Sequence, residues 1–324
     1  MNVSKSFLQT NSLIIAIYYY IIGKLRFQVK GNTLMAVGMV SGWLGFFILA
    51  LVLAGCVAIF AKVALDGLSA PQTVLTAGIT ILVLSFTTLS FNGFFKSAKH
   101  FSQGSVKDIV ISGVLMSLGF IFLCMAIQMT EVLSTAPFYL LVPVFVFLAE
   151  TLFRKKMPGA VTFVIYLAIA VGVLLMGFGV HHKHGLWWVF ALLGPLCLAA
   201  NSLYLKKNPL GQLQHTAALF IVVIVALILS FFIHHKDLRK ITAYHVLFGI
   251  LTGIAYYYAP SALSHAKALC SYDIWLAFFY SLWIVITVIV AMLFLKEKIS
   301  AVTATGLGII IVAYSVRFAL AHFI

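Results

Sequence analysis

The stretch APFYLLVPVFVFLAETLFRKKMPGAVT, residues 136–162, returns 141 positions later as AFFYSLWIVITVIVAMLFLKEKISAVT, residues 277–303. The two share 11 of 27 positions without a gap. Ala136, Phe138, Tyr139, Leu141 and Val144 match Ala277, Phe279, Tyr280, Leu282 and Val285; Leu152, Phe153, Lys155, Ala160, Val161 and Thr162 match Leu293, Phe294, Lys296, Ala301, Val302 and Thr303. Shared apolar composition gives several matches by chance. The ordered Lys and the Ala-Val-Thr that opens the next run do not follow from composition, and they mark an internal duplication.

Outward from the repeat, the chain is a succession of apolar runs near the roughly 20 residues that a helix needs to cross a bilayer. The runs fall at about 43–65, 72–95, 108–128, 131–153, 160–180, 187–206, 215–233, 244–266, 272–295 and 300–318, which predicts ten spans. Continuous apolar runs of this length exclude barrel strands, so the expected class is an all-α polytopic membrane protein. The repeat divides it into a first five-helix unit, residues 43–180, and a second, residues 187–318. Five is odd, so the second copy enters the membrane upside down. Inverted repeats related by an axis in the membrane plane are the architecture of secondary transporters, with the substrate site near the midplane.

Composition agrees. Of 324 residues 63% are hydrophobic and 9% charged, with mean hydropathy +1.14. A soluble chain carries about a quarter charged residues. Only seven acids occur: Asp66, Asp108, Glu131, Glu150, Asp237, Asp273 and Glu297. These figures exclude a water-soluble enzyme, a nucleic-acid reader and a disordered scaffold. The net charge of +14 comes from basic residues gathered between apolar runs, where anionic headgroups attract them and translocation disfavours them. With both termini in the cytoplasm, the cytoplasmic segments hold 14 Lys and Arg and the outer ones 7, which predicts that orientation in an inner membrane. Cys56, Cys124, Cys197 and Cys270 have no framework spacing and read as small apolar residues. Residues 1–42 form an N-terminal extension in which 14–22, with Tyr18, Tyr19 and Tyr20 before Lys24 and Arg26, reads as an interfacial helix or as a short eleventh span.

Several phrases resemble the drug/metabolite transporter superfamily, in its ten-helix EamA-like form, over about residues 43–318. They are Gly55 followed by Lys62 in the first span, Ala126-Ile127-Gln128-Met129-Thr130 at the end of the third, Pro143 in the fourth, and Lys296-Glu297-Lys298 after the ninth. The chain departs from the family's pattern at three places: Lys156 stands where the first half should show Glu, Gly78 where an Arg follows Pro71, and Ile284 where the ninth span has Pro. The resemblance implies a secondary active transporter working by alternating access, for solutes such as amino acids, nucleobase-like compounds or amines. A planar or cationic solute fits the aromatic content, and export is the expected direction. Uptake or exchange of nucleobase-, nucleotide- or choline-like solutes is the alternative, and a scaffold or lipid scramblase is a second.

Residues that could line a cavity follow from the repeat. Tyr139 and Tyr280 each lie three residues from the centre of their span, about 4.5 Å along the axis. Inversion puts them on opposite sides of the midplane, as cavity lining or as packing tyrosines. Trp275, Phe279 and Trp283 fall on one helical stripe, and Tyr256, Tyr257 and Tyr258 add rings from the eighth span, with Tyr257 the candidate. Asn201 is a mid-membrane amide, and the family resemblance puts an Asn near it.

Glu150, well inside an apolar run, is the candidate coupling site for a proton or counter-substrate. Arg154 lies one turn on and offers it an ion pair instead. Lys62 can snorkel from its span end. His181, His182, His184, His234 and His235 fall in two loops without a metal-site spacing, so no metal is expected. No Walker loop, dinucleotide fingerprint or HExxH occurs, which excludes ATP-driven transport within this chain and leaves no cofactor expected. A membrane-embedded enzyme is a rival reading, and the acids, which sit mostly at helix ends, argue against it. The expected partners are a small-molecule substrate and the lipid bilayer, with no nucleic acid. Gly38 and Gly42, or Gly306 and Gly308, offer a small-residue face for a homodimer.

Overall fold

A computed structural model describes residues 33–91, 103–154, 159–179, 185–232, 241–269 and 275–323. The histidine loops, the interfacial stretch 14–22 and Cys270 lie outside them. Among the described residues the chain is helical throughout, as an apolar chain without water to bond its backbone must be. Eight helices among the described residues are long and apolar enough to cross a membrane, and Leu282–Leu295 and Ala301–Arg317 are shorter apolar stretches. Together they occupy the ten expected spans.

The first helix runs Thr33–Leu65, so residues 33–42, read from sequence as part of the extension, continue directly into the first span. The second runs Ala70–Phe91 and opens on a reciprocal cap. Ser69 donates its N–H to Gln72 Oε1 at 2.8 Å, and Gln72 donates its N–H to Ser69 Oγ at 3.4 Å. The third is Gln103–Met129, the fifth Ala160–Phe178, the sixth Trp187–Lys207, the seventh Gln212–Phe232 and the eighth Ala243–Leu269. The tenth is Ala301–Phe323, capped by Ser300, whose Oγ accepts the Thr303 N–H at 3.1 Å.

The fourth and ninth spans, the two copies of the repeat, differ in a way their prolines explain. The fourth is a short helix Val132–Thr135, a 3-10 turn Ala136–Leu140 and a helix Leu141–Arg154. Pro137 opens the 3-10 turn and Pro143 sits in the first turn of the following helix, where a missing N–H is tolerated. The second copy has Phe278 and Ile284 at these positions. Its helix runs unbroken over Trp275–Val290, then loosens into a π turn Ala291–Leu295 that ends on Lys296 at φ 56°.

Packing follows the repeat. The first span packs on the eighth as the sixth packs on the third; the third packs on the seventh as the eighth packs on the second. The pairs second–seventh and fifth–tenth map onto themselves. One close approach is duplicated almost residue for residue. A Cβ on Gly113 would lie 2.6 Å from the carbonyl oxygen of Ala218, and one on Gly253 would lie 2.6 Å from that of Ala77. Ala77 and Ala218 are 141 positions apart, the offset of the repeat, so the same glycine-on-carbonyl crossing is built twice. Small residues permit such crossings where lipid supplies no hydrophobic drive between helices. The outer faces are apolar: Val161, Phe163, Val164, Leu167 and Phe178 of the fifth span are exposed, as a lipid-facing surface requires.

Candidate functional site

A cavity of about 280 Å³ lies where spans of both copies meet. Residues of the first, second, third and fourth spans line it together with residues of the seventh, eighth and ninth. Two ring pairs bridge it. Tyr139 of the fourth span sits edge-on to Trp283 of the ninth, with centroids 5.4 Å apart and planes at 73°. Phe120 of the third sits edge-on to Tyr256 of the eighth, at 4.8 Å and 82°. Each pair joins a span to its counterpart in the other copy.

No Asp, Glu, Lys, Arg or His is among the described wall residues. The wall threonines are turned back on their own helices: Thr73, Thr135 and Thr252 donate to the carbonyls of Ser69, Glu131 and Phe248 at 3.1, 3.1 and 2.8 Å. Gly78, standing where the family resemblance calls for Arg, lines the cavity and brings no charge to it. The indole Nε1 of Trp283 is buried and has no hydrogen-bond partner among the described residues.

Of the residues singled out from sequence, the structure brings Tyr139 and Trp283 together on the wall. The side chains of Trp275, Phe279 and Tyr280 lie outside the described residues. Tyr257 does not line the cavity; its hydroxyl shares a 2.7 Å hydrogen bond with Thr88 of the second span. The cavity side of the eighth span is the stripe Thr252, Tyr256, Ala259, Pro260 and Leu263, and Tyr257 stands about 100° around the helix from it. Asn201 is buried but off the wall. It continues the Gly194–Leu198 stripe, whose residues pack on Gly119 and Leu123 of the third span. Sequence reading named Tyr256 among three rings of the eighth span but chose Tyr257, and it missed Phe120; helical phase separates Tyr256 from its tyrosine neighbours only once the cavity side is known.

Glu150 lies at the far end of the bundle and accepts a hydrogen bond from Lys206 of the sixth span; the Arg154 side chain lies outside the described residues. The Lys206 and Glu150 side chains are 52% and 29% exposed, so this ion pair contributes at most ~1 kcal/mol. Nearby, the Tyr204 hydroxyl donates to Asp108 at 2.5 Å. Among the described residues no group of His, Cys, Asp and Glu forms a metal site.

The opposite end of the bundle carries a tighter polar cluster just beyond the cavity. Lys62 does not snorkel outward. Its Nζ donates to the carbonyls of Ile127 and Thr130 at 2.8 and 2.6 Å, closing the C-terminal turn of the third span. Glu297, in the turn between the ninth and tenth spans, reaches the start of the fourth. Its two carboxylate oxygens accept the N–H groups of Val132 and Leu133, each at 2.9 Å. These are N–H groups of a helix's first turn, which have no partner within the helix. One copy of the repeat thus holds the N-terminus of the other.

Residues 41–178 match the EamA-like transporter family, so the resemblance read from sequence is borne out over that stretch. No curated protein matches the chain. A solved structure, described only as the crystal structure of a protein, aligns with TM-score 0.56 at 15% identity over 88% of this chain and 99% of that one. At that identity the likeness is one of fold. The chain is a multi-pass membrane protein whose residues 41–178 are similar to that family.

Proposed function

We propose that this EamA-like membrane protein is a secondary active transporter that moves a small organic metabolite by alternating access through the cavity between its two halves. The observation that carries the reading is the cavity's position. Its wall is drawn from both copies of an inverted repeat, with ring pairs spanning the seam, and this is where transporters of such architecture hold substrate. Relative rocking of the halves exposes such a site to each side in turn.

The excess of Lys and Arg in the alternate segments favours both termini in the cytoplasm of an inner membrane, which places the Lys62–Glu297 end outward. Export is the direction we assign, on the family resemblance read from sequence. The aromatic wall supports a planar metabolite over an aliphatic one.

The test is solute movement in vesicles reconstituted with the full chain. A thermal-shift screen of amino acids, nucleobases, nucleosides and quaternary amines chooses the solute, since a ligand that binds the native state raises its melting temperature. Saturable flux above protein-free vesicles is expected, with at least a tenfold loss in Gly78→Leu. A Cβ at Gly78 meets only Val223 Cγ2 at 3.3 Å and Val222 Cγ1 at 3.8 Å, so the variant folds while its side chain fills the cavity. Flux indifferent to this substitution, or lipid movement without solute flux, overturns the proposal.

A further inference from the structure

We infer that the cavity takes an uncharged planar solute that presents a hydrogen-bond acceptor to the indole N–H of Trp283; this rests on the transporter reading above and names its substrate class. Trp283 is 8% exposed and lines the cavity, and its Nε1 is unpartnered among the described residues. Buried N–H groups in folded proteins nearly always have a partner, so an orphan donor beside a cavity marks where a bound acceptor completes the structure.

The rest of the wall selects against charge. The three threonine hydroxyls already give their protons to their own helices, so they can only accept from a ligand. No ionisable Asp, Glu, Lys, Arg or His side chain stands among the described wall residues, and Gly78 leaves the cavity without the charge that the resemblance calls for there. A cation or zwitterion entering such a site loses its hydration and gains no counter-charge. Attraction to ring faces does not offset that loss. The two edge-on ring pairs, Tyr139–Trp283 and Phe120–Tyr256, present flat faces and ring edges to a planar guest.

Four probes of similar size separate the possibilities in equilibrium binding to the purified full-length chain in detergent: coumarin (neutral, with an acceptor), naphthalene (neutral, without one), N-methylquinolinium (a cation) and L-phenylalanine (a zwitterion). Coumarin is expected to bind tightest. Trp283→Phe, which keeps a ring and removes the donor, weakens coumarin about five- to tenfold and leaves naphthalene within about twofold. Tighter binding of the cation or the zwitterion, or equal weakening of coumarin and naphthalene, overturns the inference. The wild-type ranking decides by itself if the variant does not fold. Flux in vesicles without this ranking sinks the substrate class alone; the ranking without flux sinks the transporter reading alone.

Discussion

Glu297→Ala will destabilise the folded chain by roughly 2–4 kcal/mol, the sum expected for two hydrogen bonds to a charged acceptor in a half-buried setting. The variant strips the Val132 and Leu133 N–H groups of their shared acceptor at a helix start that the sequence caps in no other way; Glu131, at the N-cap position, makes no side-chain cap bond. Glu297→Gln keeps one acceptor oxygen and should recover about half of the loss.

The same pair of variants reads pH. Burial raises the Glu297 carboxyl above its ordinary value, and the Glu131 charge adds to the rise; the two backbone N–H groups and Lys62 oppose it. With the folded-state pKa the higher, the native chain takes up the proton before the unfolded chain does. Stability contributed by this group therefore rises as pH falls through the folded-state value, and the gain is complete below the ordinary 4.5. Thermal unfolding in detergent as a function of pH, wild type against Glu297→Gln, should show this increment in the wild type only.

Gly306→Leu will be worse, at roughly 4 kcal/mol or more, and will deplete folded protein from the membrane. The fifth and tenth spans cross with almost nothing between their backbones. A Cβ on Gly306 would lie 2.6 Å from the Gly172 carbonyl oxygen and 2.8 Å from the Met176 backbone nitrogen, and a backbone cannot turn aside as a flexible side chain can. Two residues on, a Cβ at Gly308 meets nothing within 4 Å, and Gly308 is exposed on the lipid side. Gly308→Leu is therefore expected to be nearly neutral. Comparing the yield of monodisperse protein for the two variants checks the claim, since composition and position along the span are matched. The contrast also splits the small-residue pair read from sequence: Gly306 is committed to the fifth span.

The fold was legible because a membrane forces it. Runs of about 20 apolar residues must be helices, and the offset of 141 positions from Ala136 to Ala277 implies inversion once each half holds five spans. The repeat also led to Tyr139 and, through the aromatic stripe of the ninth span, to Trp283, both of which the structure places on the cavity wall. What sequence did not give was rotation about helix axes. Tyr256 and Tyr257 are adjacent and chemically equal, yet one faces Phe120 across the cavity and the other bonds Thr88. Periodicity does not tell two adjacent residues of the same type apart until the cavity side of the helix is known.

Long-range polar contacts were equally hidden. Lys62 and Thr130 are 68 positions apart, and Glu297 and Val132 are 165 apart; nothing in either local sequence names the partner. The repeat register gives one further reading of that second contact. Glu297 corresponds to Lys156 and Val132 to Asp273, so the copies carry opposite charges where the first copy offers a backbone N–H to a carboxylate.

The most direct test of a cavity that opens to each side in turn is labelling of one wall residue from both sides of the membrane. Ala54→Cys, on the first span and on the cavity wall, is placed in a chain whose four native cysteines are replaced by alanine, then reconstituted and treated with a membrane-impermeant thiol reagent from outside or inside the vesicle. Labelling from both sides is expected, slowed on both by coumarin. Labelling from one side only, or from neither, would contradict it.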